Sequence, residues 1–458
     1  MEVKVYKQGI ELEMFVMQQG EIDVDYDLHE SIVEDFKEKV SSRFYYDDGK
    51  PEYPTRPYTD LRGLYDDLKA VIGYASEIAS MEYESDIMLI GTYPFGSERE
   101  FASGHIHSSL KKPDNSLATE REILSLRNRL YNAQPLIACI SQNSPIIDGM
   151  FQVKDTRLYY SEWAEFTEFG DRTDSHYLAL AVNQPVPDVA TLEVRIPSSS
   201  NPIHLIATAN VIRALLNKED YPIAMEHTST TWERVLKYGA KAIVPLKLPK
   251  SISYYGFKYS TVNVEMSTLF KIFIEEYKDE LKDGIASLPA RIQNYIWKLY
   301  ERITEGYTIS DYVIEHWNSL EDKWRLLDYY VDMSYNPIWT DKKPMRTYSP
   351  ILENKVTYEE LMEIARDLEN KYEISDDLIE LYDILNNLDN STKRLMAKIL
   401  SKISMEGEMF FLPFSSRDLQ ALKTLRDLEA IEEVGIDRYG KGNRFELVAQ
   451  VLEDFFVD

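Results

Sequence analysis

The chain has 458 residues, 44% of them hydrophobic, and a formal charge of −27. That length supports two to four domains with ample cores, and the acidic surplus argues against a broad phosphate-binding surface, which needs clustered Lys and Arg. One cysteine, Cys139, excludes an internal disulfide framework and any multi-cysteine zinc site.

Taken in chain order, MEVKVYKQGIELEMF shows no basic segment followed by an apolar run, so no signal peptide is predicted. No run reaches the ~18 apolar residues of a membrane span, and a cytoplasmic protein is expected. KVYKQGIELEMFVM alternates and closes apolar, which suits a strand. IMLIGTYPFG is an apolar run stopped by Gly and Pro. LSLRNRLYNAQPLIACISQ has helical spacing, ATLEVRIP is a strand ended by Pro197, and IHLIATANVIRALLN is a patterned helix. From about residue 265, acidic amphipathic helices dominate: FKIFIEEYKDELKDGIASL, YEELMEIARDLENKYEI and DLIELYDILNNL. Beyond 390, STKRLMAKILSKI and SSRDLQALKTLRDLEAI read as helices. EEVGIDRYGKGNRFELV reads as a hairpin turning at GKGN.

Three strand-like segments carry ionisable residues at i and i+2, which share one face of a strand. They are Glu11 and Glu13 in GIELEMF, His105 and His107 in GHIHSS, and Glu193 and Arg195 in TLEVRIP. A single pair reads as a solvated face; three in one domain point to a site. Carboxylates beside apolar strands are costly to bury unless paired or coordinating a cation. Oxygen-rich sites with a histidine suit Mg²⁺ or Mn²⁺, and an arginine fork binds phosphate or carboxylate. Metals, carboxylates and an arginine together are what ATP phosphoryl transfer uses.

GIELEMF, ESIVE at 30–34, GTYPFG at 91–96, GHIHSS at 104–109, NSPIIDG at 143–149, DTR at 155–157, TLEVRIP at 191–197 and WERVLKYGAKA at 232–242 occur in that order. Together, over about residues 5–245, they resemble the carboxylate–amine ligase / glutamate–cysteine ligase family 2 of the glutamine synthetase superfamily. The resemblance implies an α+β fold. A curved antiparallel sheet funnel of glutamine synthetase catalytic type would fill a ligase-like domain at 1–250. An acidic helical region at 251–390 and a winged-helix-like module at 391–458 would follow. It implies ATP as co-substrate and two or three Mg²⁺ (or Mn²⁺) ions. By motif match, Glu11, Glu13, Glu30, Glu34, His105 and Glu193 resemble the metal ligands. Arg195, with Glu193, resembles the catalytic pair at the transferred phosphoryl group. His107 and Ser109 fall where nucleotide or substrate is contacted, and Arg157 where a substrate carboxylate would bind.

The implied reaction phosphorylates a substrate carboxylate, often the γ-carboxylate of glutamate, and an amine then attacks the acyl phosphate to give an amide. The implied partners are a small-molecule acid and amine and, by analogy with the superfamily, further copies of the chain; neither membrane nor nucleic acid is expected. Two departures bear on the substrate. Tyr93 stands in GTYPF where the family's GTHPF has histidine, and only a few residues separate that motif from the HxH strand where the family has several tens. Part of the funnel wall is therefore expected to be either missing or rebuilt by residues 41–60. The alternatives are an altered ligase fold acting as a regulatory or interaction module through its C-terminus, or a scaffold without catalysis. The mixed charge of SRDLQALKTLRDLEAI disfavours a DNA-reading helix. Cys139, in the apolar PLIACIS, reads as core. His29, His176, His204, His227 and His316 have no spacing partner and read as surface or satisfied side chains.

Overall fold

A computed structural model describes most of residues 4–345 and 387–449. Inside those ranges it leaves out 20–21, 23–25, 48, 96–99, 162–163, 168–176, 187–188, 219–223, 226–228, 248–261, 321, 341, 411–414, 436–437 and 446–447; outside them it adds 356–361, 363, 381, 384–385 and 452. The chain divides into two compact units, one of residues 1–246 with 262–358, the other of 247–261 with 359–458. The boundary expected near residue 250 is therefore corrected: the helices of 262–358 belong to the same unit as the sheet.

The first unit is built on a six-stranded antiparallel sheet. Its strands are β1 (Lys4–Glu13), β3 (Tyr45–Asp47), β4 (Lys50–Pro54), β6 (Gly104–Lys111), β9 (Leu180–Val186) and β10 (Val189–Val194), in the order β3-β4-β1-β6-β10-β9. Four short strands complete this region: β2 (Phe15–Gln18) pairs with β5 (Ser85–Met88), and β7 (Ile146–Ile147) with β8 (Met150–Phe151). Alternation decides the faces. Ile10, Leu12, Ile106, Leu192 and Val194 all turn to one side and are buried, each contributing about 1.5–3 kcal/mol of burial free energy. The helix α6 (Pro202–Asn217) packs against β1 and β6 on that side and is apolar almost all round, as a central helix must be. Gly104, which opens β6, allows this approach: a Cβ there would lie 2.7 Å from Leu205 Cδ2.

Helices α1 (Tyr26–Lys39), α2 (Leu61–Tyr83) and α3 (Glu120–Tyr131) pack on the sheet, and α4 (Gln134–Ser141), α5 (Thr156–Tyr160) and α7 (Ser229–Tyr238) pack among the helices. The single helix expected over LSLRNRLYNAQPLIACISQ is two, α3 and α4, parted at Asn132 and Ala133. Cys139 is buried in α4, where burial pushes its thiol pKa up. A small sheet of β11 (Ala224–Met225), β12 (Ile243–Lys247) and β13 (Val262–Glu265) leads into α8 (Met266–Glu276), α9 (Lys278–Ile285), α10 (Ala290–Thr304), α11 (Ile309–Leu320) and α12 (Lys323–Tyr335). Helices α9 and α10 pack on α6. In α11, Asp311 accepts from the Thr308 amide at 2.8 Å and hydroxyl at 2.9 Å. Its other oxygen takes the Lys154 ammonium in a fully buried ion pair.

In the second unit, α13 (Asn390–Glu406) and α14 (Ser416–Asp427) flank a three-stranded sheet of β14 (Glu408–Phe410), β15 (Ile431–Gly435) and β16 (Arg438–Lys441), ordered β14-β16-β15. Met396, Ile399, Leu400 and Ile403 form one face of α13 and pack with Leu425, Ile431 and Tyr439. One helix lies between β14 and β15 among the described residues, and GKGN is not the hairpin turn: Gly440 and Lys441 are strand residues. YEELMEIARDLENKYEI and DLIELYDILNNL fall largely outside the described residues. No described helix is long and apolar enough to cross a membrane.

Asp311→Ala would leave Lys154 charged in the core, at an expected cost of about 3–5 kcal/mol in urea unfolding. Pairing it with Lys154→Met should recover most of that loss. A single-variant loss under about 1 kcal/mol would contradict the role given to the ion pair.

Candidate metal and phosphoryl-transfer site

The sheet register assembles the site. Glu11 lies opposite His105 and Gly9 opposite His107 across β1 and β6; Glu193 lies opposite His107 across β6 and β10; Glu13 lies opposite Glu52 across β1 and β4. Directly opposed residues of antiparallel strands share a face. Glutamates from the two strands flanking β6, roughly 9.6 Å apart at the backbone, therefore lean in over its histidines.

Two acidic groups result. Glu11, His107 and Glu193 each offer a ligand atom within 4.8 Å of the others, and so do Glu13, Asp47 and Glu52. In the first group His107 Nε2 stands 3.1 Å from Glu11 Oε2 and 4.0 Å from Glu193 Oε1. His105 Nδ1 is 3.4 Å from Glu193 and 3.7 Å from Glu11. Arg195 grips Glu193 with both prongs of its fork, Nε at 2.7 Å and Nη2 at 3.0 Å, and Asn183 Nδ2 reaches the same carboxylate at 3.4 Å. In the second group the Ser103 amide donates to Glu13 at 2.7 Å, and the Tyr45 hydroxyl donates to Glu52.

The electrostatics follow from this crowding. Burial alone would raise the Glu11 pKa, but hydrogen bonds and charge from His105 and His107 outweigh it and hold the group well below the usual range. Burial likewise opposes ionisation of Glu193 but is outweighed by His105, Arg195 and His107. For His107 burial favours the neutral ring, yet Glu11 and Glu193 raise its pKa overall. Burial raises the Glu52 pKa, the Tyr45 hydroxyl only partly opposes it, and with Glu13, Glu11 and Asp47 nearby it is pushed up to about 9.

The residues present fit hard divalent cations. Both donor sets are carboxylate oxygens with at most one imidazole. His107 Nε2 is buried and faces carboxylate oxygens of both Glu11 and Glu193, as an imidazole ligand to a shared cation would.

The expected residues are redistributed. Glu11, Glu13 and Glu193 lie in the acidic groups, and His107 rather than His105 completes the first. Glu30 and Glu34 are corrected: both are exposed on α1, Glu34 pairing with Lys37 at 2.6 Å, and neither joins a group. Arg157 is corrected as a carboxylate binder: its Nη2 is occupied by three backbone carbonyls. Ser109 lies on the site face beyond His107, its hydroxyl 3.4 Å from the Lys7 carbonyl. Tyr93 is buried near the Phe15 ring at 6.2 Å. His204 is satisfied by Ser200 Oγ and the Ile140 carbonyl, both at 2.6 Å, and His316 stacks on Tyr329. The side chains of His29, His176 and His227 lie outside the described residues.

Asp47, Glu52 and Tyr45 were not anticipated. They come from the hairpin β3–β4 within 41–60, whose connection includes Gly49 at φ +85°.

No family model matches the chain, and no curated protein matches it. Several solved structures are similar. Glutamate–cysteine ligase from Francisella tularensis in complex with AMP has a TM-score of 0.47 and 11% identity, covering 99% of this chain and 98% of that one. The ligase PafA in complex with the prokaryotic ubiquitin-like protein Pup has a TM-score of 0.46 and 12% identity, covering 92% and 93%. A bifunctional glutathione synthetase from Pasteurella multocida has a TM-score of 0.42 and 12% identity, covering 72% and 51%. These likenesses concern the path of the chain and not substrates.

Two predictions follow from the geometry. Glu11→Gln and His107→Ala should each weaken Mn²⁺ binding at least tenfold by calorimetry, while Glu34→Gln leaves it unchanged; a change with Glu34→Gln would contradict the ligand set. Glu52, normally near 4.5 and raised to about 9 here, keeps its proton in the folded, metal-free protein over a range where the unfolded chain loses it. The stability it confers is thus complete below about 4.5 and lost progressively up to about 9. Glu52→Gln should flatten that decline in pH-dependent melting; an unchanged slope would contradict the burial argument.

Proposed function

We propose that the protein is an ATP- and divalent-metal-dependent carboxylate–amine ligase, forming an amide through an acyl phosphate, with the γ-carboxylate of glutamate as the first acid to test. The observation that carries this reading is the adjacency of Glu11–His107–Glu193 and Glu13–Asp47–Glu52 on one sheet face, with Arg195 at their edge. The ordered motifs of residues 5–245 support it.

Glu11, His107 and Glu193 would hold one Mg²⁺ or Mn²⁺, and Glu13, Asp47 and Glu52 another. When bound, such ions neutralise phosphate charge and align the γ-phosphoryl group with its acceptor. Arg195 in this structure neutralises Glu193. Were a cation held by Glu193, the Arg195 fork would be free to stabilise charge on the transferred phosphoryl group. Glu52, protonated near neutral pH, must release its proton to become a ligand, so loading of the second group improves as pH rises. Asn183 and Ser103 fix the orientation of Glu193 and Glu13, which limits reorganisation during transfer.

Incubation with Mg²⁺, ATP, glutamate and a panel of amines should release phosphate only when both acid and amine are present. Glu11→Gln should lower that release by at least 10³-fold. Release independent of the acid, or retained in Glu11→Gln, would remove the assignment.

A further inference from the structure

We infer that Arg157 is a positioning residue that sets the course of residues 195–197 and, through it, the aim of Arg195. Beyond Val194 the regular strand ends: the Pro197 carbonyl still accepts from the Gly104 amide at 2.9 Å and Ser198 bridges Ser103, but Pro197 has no N–H to donate. The Arg195 amide still donates to the Ala179 carbonyl at 2.9 Å. The next three carbonyls then turn toward one point: Arg157 Nη2 donates to Arg195 O at 2.6 Å, Ile196 O at 2.8 Å and Pro197 O at 2.9 Å. In a strand, successive carbonyls point to opposite sides. Three converging carbonyl dipoles repel one another unless a cation sits among them. The guanidinium is 2% exposed, so water cannot replace it.

Arg157 is itself held on two sides. Its Nε donates to Ser198 Oγ at 3.3 Å, and that hydroxyl donates to Asp155 Oδ2 at 3.3 Å. Asp155 Oδ1 caps α5 by accepting from the Leu158 amide at 3.0 Å. One residue earlier, Lys154 is anchored on Asp311 of α11. The chain of contacts runs from α11 through the 154–157 turn to the end of β10, and ends at the Arg195–Glu193 fork.

The consequence for turnover rests on the ligase reading; the consequence for the backbone does not. The test therefore has two arms, on Arg157→Gln and Arg157→Lys. In metal-free protein, hydrogen–deuterium exchange of peptides spanning 189–200 should rise about tenfold in Arg157→Gln while α6 peptides stay at the parent rate. Under Mg²⁺ and ATP, kcat for phosphate release should fall on the order of 10²-fold with the KM for ATP within about threefold of the parent. Arg157→Lys, which keeps the charge and three donors, should restore most of both. A folded Arg157→Gln with parental exchange at 189–200 overturns the inference, as does a lysine variant no better than the glutamine one. If Arg157→Gln does not fold, Arg157→Lys decides: a small rise confined to 189–200 supports the role, and parental exchange or a rise throughout the unit overturns it. A parent protein that releases no phosphate refutes the ligase reading, and the exchange arm still decides the place of Arg157.

Discussion

Carboxylates brought to one face of a sheet repel one another, and burying them adds a desolvation cost that only cations or dense hydrogen bonding offset. Five such groups, Glu11, Glu13, Asp47, Glu52 and Glu193, are gathered here with two imidazoles. The first group is balanced by His105, His107 and Arg195. The second has a protonated Glu52 in place of a counter-ion. On the proposed reading that imbalance is what a divalent cation would relieve, and the surrounding structure keeps the face from relaxing.

Register provides the restraint. A slip of one residue in β1, β6 or β10 would exchange the site residues for Ile10, Leu12, Ile106, Leu192 and Val194, which are buried on the other side with α6. The apolar face therefore fixes the polar one. The loop and helix contacts act at the strand ends: Asp311 holds Lys154, and Arg157 gathers the carbonyls that follow Val194. Residues that look remote in sequence are mechanically close to the acidic face.

Much of this was legible beforehand because period-2 alternation reports a face directly. GIELEMF, GHIHSS and TLEVRIP gave the right strands and the right side for Glu11, Glu13, His107, Glu193 and Arg195. Alternation does not report which strands are neighbours, so it could not tell that His107 rather than His105 groups with Glu11 and Glu193. The acidic spacing of Glu30 and Glu34 fits a helix surface as well as a ligand pair, and the surface is where they lie. Arg157 misled for a related reason: an arginine suits a bound carboxylate and a cluster of backbone carbonyls equally, and only the chain path tells them apart. Asp47 and Glu52 were missed although the Asp-Gly turn between their strands was visible. The boundary near 250 was drawn from a change in composition, whereas packing of α9 and α10 on α6 joins the later helices to the sheet.

The most direct measurement is anomalous diffraction from crystals grown with Mn²⁺ and a non-hydrolysable ATP analogue. The account predicts one anomalous peak among Glu11, His107 and Glu193, a second among Glu13, Asp47 and Glu52, and analogue phosphate oxygens shared between them. Peaks elsewhere, or none at these carboxylates with the nucleotide bound, would contradict it.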